Sequence, residues 1–274
     1  MAEAENLIET LALERIEVNL FRGVAPADWG PRIFGGLVIG QALMAAYRTV
    51  EARVCHSLHC YFIRPGDPAV PILYEVDRSR DGKSFTTRRV TAIQHGCQIF
   101  NLAASFEVEV PGFDHQDLMP SVPPAAEAPD SGFDDGRSRP IEMRWVGGER
   151  WSESPPAPAP PEQNVWMRAV APLPDDVAIQ QAALAYASDM SLLSTALRPH
   201  GVNWHTPGFQ TASLDHAIWF HRRSNFNDWH LYAQKSPSAS GSRGFNIGEI
   251  FNADGRLIAS TAQEGLMRLR PPSR

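Results

Sequence analysis

The sequence predicts an α+β protein made of two copies of one unit, each a long apolar helix followed by an antiparallel meander of strands. Two observations predict this class: the same order of elements occurs in both halves of the chain, and a pair of turn glycines recurs at one spacing. Gly82 and Gly96 are 14 residues apart, as are Gly241 and Gly255. Because each pair encloses one strand, register as well as order is repeated.

The first copy begins with a predicted helix over residues 34–50, FGGLVIGQALMAAYRTV, which is mainly apolar on every side, as expected of a buried helix. Gly35, Gly36 and Gly40 permit close packing against this helix. Strand-like runs separated by turn dipeptides follow, and they predict an antiparallel meander. These runs are residues 56–64, 72–80, 85–94 and 98–108.

The second copy repeats this order. Its predicted helix covers residues 177–197, VAIQQAALAYASDMSLLSTAL, and is apolar except for a few small polar residues and Asp189. Four strand-like runs follow again, at residues 212–222, 229–235, 244–252 and 256–267. Since the inner face of each sheet needs apolar cover, the helix of each copy is expected to pack against its own strands.

Between the copies, residues 111–163 are rich in Pro, Ala, Gly and acidic residues, which indicates a linker. Within it, residues 141–146 form a short strand-like piece that could pair with a sheet edge. We therefore predict an N-terminal unit at residues 1–112, a linker at 113–163 and a C-terminal unit at 164–274. Joining the two units edge to edge into one extended sheet would bury strand edges that are otherwise exposed.

Composition narrows the classes of partner and compartment. Hydrophobic residues make up 43% of the chain and charged residues 20%, enough for a core, and the net charge of -6 argues against nucleic-acid or anionic-membrane partners. We expect no membrane insertion, because no run approaches about 18 apolar residues. The N-terminus does not resemble a signal peptide, and three cysteines suit buried thiols in a reducing compartment, so a cytoplasmic location is expected. The cysteines are Cys55, Cys60 and Cys97.

Ordered motifs in both halves carry a family resemblance. They include FGGLVIGQAL, HSLHCYFIRPGD, RDGKSFTTRRVTAIQHG, AYASDMSLL, SLDHAIWFHR, AQKSPSASGSRGF and STAQEGLMR. In these motifs the chain resembles the acyl-CoA thioesterase II family. The resemblance implies a double-hotdog fold, hydrolysis of acyl-CoA to a fatty acid and free CoA, and a homo-oligomer, either a dimer or a tetramer. It implies no cofactor and no metal.

The resemblance also implies three catalytic residues that bind the attacking water: Asp189 in AYASDMSLL, Ser213 in ASLDHAIWFHR and Gln263 in STAQEGLMR. A carboxylate can accept the proton of a water that attacks a carbonyl carbon, and burial on an apolar helix would raise the pKa of Asp189. Ser213 and Gln263 are neutral groups that can orient the water. One base suffices, because a thiol with a pKa of roughly 8.5 can leave as thiolate.

Substrate contacts are expected at the start of the first helix, where the backbone amides of Gly35 and Gly36 can approach a developing oxyanion. His56 is a candidate pocket residue. The first copy provides an internal comparison, since alignment of the helices sets Gln41 opposite Asp189 and the turn glycines set Ala104 opposite Gln263. We therefore predict one active site, with its chemistry mainly from the second half.

Other functions are weighed against hydrolysis. Asp215 and His216 are adjacent on a strand and point to opposite faces, so a triad or metal role is not expected of them. No G-x-S-x-G motif indicates a serine nucleophile. A hotdog enoyl-thioester hydratase or dehydratase is an alternative, although its paired Asp and His signature is not apparent, and a non-catalytic acyl-CoA binding protein is another.

Overall fold

The computed structural model describes residues 6–26, 30–129, 139–147 and 156–269. The parts of the predicted units and linker at 1–5, 27–29, 130–138, 148–155 and 270–274 lie outside the described residues. The helices are α1 (Leu7–Leu11), α2 (Gly35–Tyr47), α3 (Val177–Ser188) and α4 (Ser194–Leu197), followed by a 3₁₀ turn at Arg198–His200. The strands are β1 (Glu14–Glu17), β2 (Leu20–Gly23), β3 (Val54–Phe62), β4 (Ile72–Asp81), β5 (Phe85–Gln94), β6 (Cys97–Glu107), β7 (Ile141–Trp145), β8 (Glu162–Ala169), β9 (Phe209–Ser213), β10 (Asp215–Phe220), β11 (His230–Ser240), β12 (Arg243–Asn252) and β13 (Leu257–Leu269).

These strands form one large antiparallel sheet, which confirms the α+β class and the predicted extended sheet. Its order is β1-β2-β4-β5-β6-β3-β10-β13-β12-β11-β8-β7, with β9 pairing separately with β13. The two halves of the chain meet at β3 and β10, where His59 lies opposite Ala217. The strands of each half therefore occupy one side of the sheet, and the join buries two edges.

Helices α2 and α3 pack against each other and cover one face of the sheet. They run antiparallel, since Gly36 lies against the carbonyl of Tyr186 and Gly40 against that of Ala182. A Cβ at Gly36 would lie only 2.3 Å from the Tyr186 oxygen, so glycine permits this approach. Both helices are buried on most sides, which explains why they are apolar all round. No helix of the described segments is long and apolar enough to cross a bilayer.

Two predicted elements are interrupted in the structure. The second helix, predicted over residues 177–197, ends at Ser188, whose hydroxyl donates to the Ala185 carbonyl; turns follow before α4 begins. The strand predicted over 212–222 is split at Leu214, whose amide donates to the Glu264 carbonyl. The split allows both β9 and β10 to pair with β13. Both interruptions lie beside Asp189.

The linker and the thiols also differ in part from expectation. The strand predicted at 141–146 is confirmed as β7, which pairs with β8. Strand β8 begins inside the predicted linker, and it was missed together with β1, β2 and α1. Cys55 and Cys60 are buried as expected, but the prediction for Cys97 was wrong. Cys97 is exposed because it begins β6 directly after the tight His95–Gly96 turn.

Candidate functional site

Asp189 directly follows α3 and turns its carboxylate into the protein, where the side chain is 8% exposed. Its Oδ1 accepts a hydrogen bond from Gln263 Nε2 at 2.5 Å and one from the Ser213 hydroxyl at 3.3 Å. Gln263 Nε2 also lies 3.2 Å from Ser213 Oγ. The three residues predicted to be catalytic thus come together from α3, β9 and β13, and we call them the Asp189 cluster.

The start of α2 completes the surroundings of this carboxylate. The Gly36 backbone amide donates a hydrogen bond to Asp189, and a Cβ at Gly35 would lie 2.6 Å from Asp189 Oδ2. The helix N-terminus also carries a partial positive charge that favours a carboxylate. Both predicted glycines therefore lie against the Asp189 cluster, and the first half of the chain contributes backbone to it.

The pKa of Asp189 reflects two opposing influences. Burial raises this pKa to about 6, while the hydrogen bonds from Gln263, Ser213 and the Gly36 amide act to lower it. Burial dominates, since the ordinary value is 3.8. The carboxylate is therefore ionised at neutral pH and is a stronger base than an exposed aspartate.

His216 also contacts the cluster, and sequence reasoning missed this. Its Nδ1 lies 3.2 Å from Gln263 Nε2, and its Nε2 lies 2.8 Å from the Ser188 hydroxyl oxygen. Burial lowers the pKa of His216 to about 3, so the imidazole is neutral. Its neighbour Asp215 points to the other face and accepts from the Glu264 amide, as expected of adjacent strand residues. The one signal in the sequence was this alternation, which turns His216 inward.

His56 is not among the contacts of Asp189. Its Nε2 lies 2.8 Å from Ser105 Oγ, and its ring packs edge-on against Phe85. Ser105 lies between Ala104 and Phe106, which are both buried on the helix-covered side. Because side chains alternate along a strand, Ser105 and His56 lie on the opposite, outer face of the sheet.

At each end of the α2–α3 pair, the end of one helix lies beside the start of the other, and we call this place a corner. The Asp189 cluster fills one corner, and Tyr47, not Gln41, fills the other. The Tyr47 hydroxyl accepts from the Cys55 amide at 2.8 Å and donates to Gln181 on α3. Gln41 instead donates to the carbonyls of Thr10 and Val24. The prediction that Gln41 corresponds to Asp189 was wrong. Tyr47 is the last residue of α2 and Asp189 directly follows α3, so Tyr47 lies at the corresponding place.

Two cavities lie away from the Asp189 cluster. One is near the start of α3 and is lined in part by Gln181, Phe226 and His230. The other lies on the outer sheet face beside Trp219 and Ile247. Across residues 6–26, 30–129, 139–147 and 156–269, no three His, Cys, Asp or Glu side chains converge in a way that could hold a metal ion. The chemistry available at the cluster is that of a buried base with two neutral hydrogen-bonding partners.

Solved structures share this fold over nearly the whole chain. The crystal structure of acyl-CoA thioesterase II TesB2 from Mycobacterium marinum has a TM-score of 0.84 and 43% identity, covering 97% of this chain and 100% of that chain. A conserved protein from Alicyclobacillus acidocaldarius, described as having a hot dog fold, gives 0.81 at 22% identity, over 97% of this chain and 98% of that chain. The fold therefore defines an α+β protein of the hotdog class.

Family models and sequence relatives show to which family this chain belongs. The family models for acyl-CoA thioesterase and for the acyl-CoA thioesterase N-terminal domain match residues 157–266 and 25–107. Acyl-CoA thioesterase 2 of Haemophilus influenzae is 40% identical, covering 96% of this chain and 97% of that protein. Human acyl-coenzyme A thioesterase 8 is 39% identical over 95% of this chain and 88% of that protein. The chain belongs to the acyl-CoA thioesterase II family.

Proposed function

We propose that this protein hydrolyses acyl-CoA thioesters to a free acid and CoA, with Asp189 as the general base. The observation that carries the proposal is the contact of Asp189 with both Gln263 and Ser213 in a buried corner. Family membership supports the same activity, since relatives of this chain are named acyl-CoA thioesterases.

In the proposed reaction one water attacks the thioester carbonyl carbon, and Asp189 takes a proton from it as the C–O bond forms. The tetrahedral intermediate then breaks its C–S bond. CoA leaves as a thiolate, which is protonated by Asp189 or by solvent, and the carboxylic acid loses its proton to water. The pKa of Asp189 near 6 suits this role, because the base is ionised at neutral pH and still accepts a proton readily.

Gln263 and Ser213 are proposed to hold the water. Gln263 is fully buried, and its side-chain oxygen Oε1 has no hydrogen-bond partner in the described part of the chain. A buried acceptor without a partner is costly, so a water that donates to it would be bound favourably. Such a water could give its second hydrogen to Asp189, which is adjacent.

Gly35 and Gly36 are proposed to line the substrate at the start of α2. Both glycines lie against the Asp189 cluster, and the partial positive charge of the α2 N-terminus would stabilise developing negative charge on a thioester carbonyl oxygen held beside it. The Gly36 amide is shared with Asp189, which helps to keep the base ionised. A substrate contact of His56 stays a prediction.

We further propose a double hotdog, with a unit at residues 1–112, a linker at 113–163 and a catalytic unit at 164–274. The mirrored strand order on either side of the β3–β10 join supports this division. A cytoplasmic location is supported by three free cysteines, which suit a reducing compartment. Exposed apolar side chains on the outer sheet face, such as Trp219 and Ile247, support a homo-oligomer, either a dimer or a tetramer.

A panel of acyl-CoAs mixed with purified protein and a thiol reagent tests the activity directly. Release of free CoA is expected, and the rate should depend on acyl chain length. An enoyl-thioester hydratase would consume the double bond without releasing thiol. A carrier would bind acyl-CoA with no turnover. Either result would contradict hydrolysis.

A further inference from the structure

A series of buried side-chain hydrogen bonds begins at Asp189 and returns to the end of α3. From Asp189 the contacts run to Gln263 Nε2, from there to His216 Nδ1 at 3.2 Å, and from His216 Nε2 to Ser188 Oγ at 2.8 Å. Ser188 is the residue before Asp189. Ser188, His216 and Gln263 are each at most 1% exposed. Bulk solvent therefore does not reach these hydrogen bonds, and the neighbouring protein groups determine which atom carries each proton.

A backbone carbonyl fixes the first proton of this series. The Ser188 hydroxyl lies 2.8 Å from the Ala185 carbonyl oxygen, which can only accept, so the hydroxyl donates its single hydrogen there. Ser188 Oγ must then accept from His216 Nε2. The neutral imidazole therefore carries its proton on Nε2, and its Nδ1 is an acceptor.

The direction of the Gln263 amide follows from this tautomer together with the Asp189 carboxylate. Both the Nδ1 of His216 and the carboxylate of Asp189 are acceptors, so the amide must turn its Nε2 towards them. The opposite orientation would place Oε1 against an anionic oxygen and a nitrogen lone pair. With Nε2 so placed, Oε1 makes neither of these contacts and has no partner among the described residues.

We propose that His216 is a positioning residue that fixes the orientation of the Gln263 amide, leaving Oε1 free to accept from the attacking water. Its catalytic consequence rests on the proposed function. The first half of the chain offers no such arrangement, because Leu58 lies opposite Ala104 where β3 pairs with β6. His216 thus belongs to the set that distinguishes the second half from the first.

The tautomer is measured without any activity. Nitrogen-15 NMR of the imidazole, assigned by the signal lost in His216→Asn, is expected to show a neutral ring protonated on Nε2 from pH 5 to pH 8. Burial, which lowers the pKa of this histidine to about 3, keeps it neutral over that range. A ring protonated on Nδ1, or a charged ring at pH 7, would overturn the proposal.

Kinetics tests the consequence. In His216→Leu the amide is released, and we expect kcat to fall about 100-fold with little change in KM, as for a misplaced catalytic group. The acidic limb of the pH–rate profile should move up by as much as about one unit, because the Gln263 amide, no longer held by His216, donates a weaker hydrogen bond to Asp189. The other groups facing Asp189 are unchanged: Cys60 on β3, Tyr232 on β11 and the Gly36 amide. His216→Asn supplies an oxygen acceptor close to the Nδ1 position and should recover most of the lost rate.

His230 provides a matched control, since it is equally buried and contacts Ser224 and the Asp228 carbonyl instead. His230→Asn should leave the acidic limb in place. In a Gln263→Ala background, His216→Leu should cause no further loss of kcat. If the wild type releases CoA and His216→Leu keeps the wild-type kcat and acidic limb, the positioning role is refuted. Absence of CoA release from the wild type would instead refute the proposed function, and the NMR result would still decide the tautomer.

Discussion

Asp189 combines burial with three hydrogen bonds, and the balance sets its pKa. Because burial dominates, the pKa lies near 6, above the ordinary 3.8. The folded protein then binds a proton more tightly than the unfolded chain between these values. By linkage, the contribution of Asp189 to stability is present below pH 3.8 and is lost as pH rises through 6.

Asp189→Asn should therefore inactivate the enzyme while stabilising it at alkaline pH. Removing the buried charge is expected to raise the free energy of unfolding by up to roughly 3 kcal/mol above pH 7, and by about half as much at pH 5. Denaturant unfolding of the wild type and of Asp189→Asn at pH 5 and pH 8 measures this difference. All other titrating groups are the same in the two proteins, so their contributions to the free energy of unfolding cancel in the comparison. A difference that does not change with pH would contradict the raised pKa.

Gly35→Ala should disturb the base without altering its chemistry. The new Cβ would lie 2.6 Å from Asp189 Oδ2 and 2.8 Å from the Phe62 ring, so the carboxylate must move. A displacement of about 1 Å can reduce kcat about 100-fold. Gly112→Ala is the control, because nothing lies within 4 Å of its Cβ, and its CoA release should equal that of the wild type.

At the scale of elements, the antiparallel pair α2 and α3 creates two similar corners that have different contents. One holds the Asp189 cluster at the start of α2, and the other is filled by Tyr47 at its end. The Tyr47 hydroxyl joins the Cys55 amide to Gln181, so this corner is a structural link between the two halves.

Tyr47→Phe should accordingly reduce stability and leave catalysis intact. Loss of these hydrogen bonds leaves a buried amide without its partner, at a cost of about 1–3 kcal/mol. We expect a lower denaturation midpoint with an unchanged kcat for CoA release. Tyr61→Phe, at an exposed position, should change neither. A large fall in kcat for Tyr47→Phe at full folding would show that the second corner takes part in the reaction.

Sequence patterns predicted the long elements well and the irregular ones poorly. Apolar character and paired turn glycines located α2, α3 and the central strands. They could not locate the break after Ser188 or the split at Leu214, because these depend on hydrogen bonds to Ala185 and Glu264. The contact of His216 with Gln263 joins residues 47 positions apart and also depends on tertiary packing. Strand β8 was missed because Val165, Trp166 and Met167 are buried in succession, which breaks the alternation of apolar and polar residues that predicts a strand.

At the scale of the whole molecule, the single sheet makes the candidate site dependent on both halves. Asp189, Ser213 and Gln263 come from the second half, whereas the Gly36 amide comes from the first. The β3–β10 join and the packing of α2 on α3 hold these parts in register.

The outer sheet face predicts association of identical chains. Phe245 and Ile247 remain 39% and 40% exposed, and Trp219 lies nearby at 37%. Light scattering is expected to give a mass of at least two 30.3 kDa chains. Ile247→Lys should reduce that mass, while Leu118→Lys in the exposed linker should not. A wild-type mass of one chain would contradict the homo-oligomer.

The pH dependence of CoA release by the wild type and by Asp189→Asn tests the central claim most directly. The wild-type kcat/KM should rise with pH through a midpoint near 6 as the buried carboxylate ionises. Asp189→Asn should fold, bind acyl-CoA and release almost no CoA at any pH. Wild-type rates from a folded Asp189→Asn protein would contradict the assignment of Asp189 as the base.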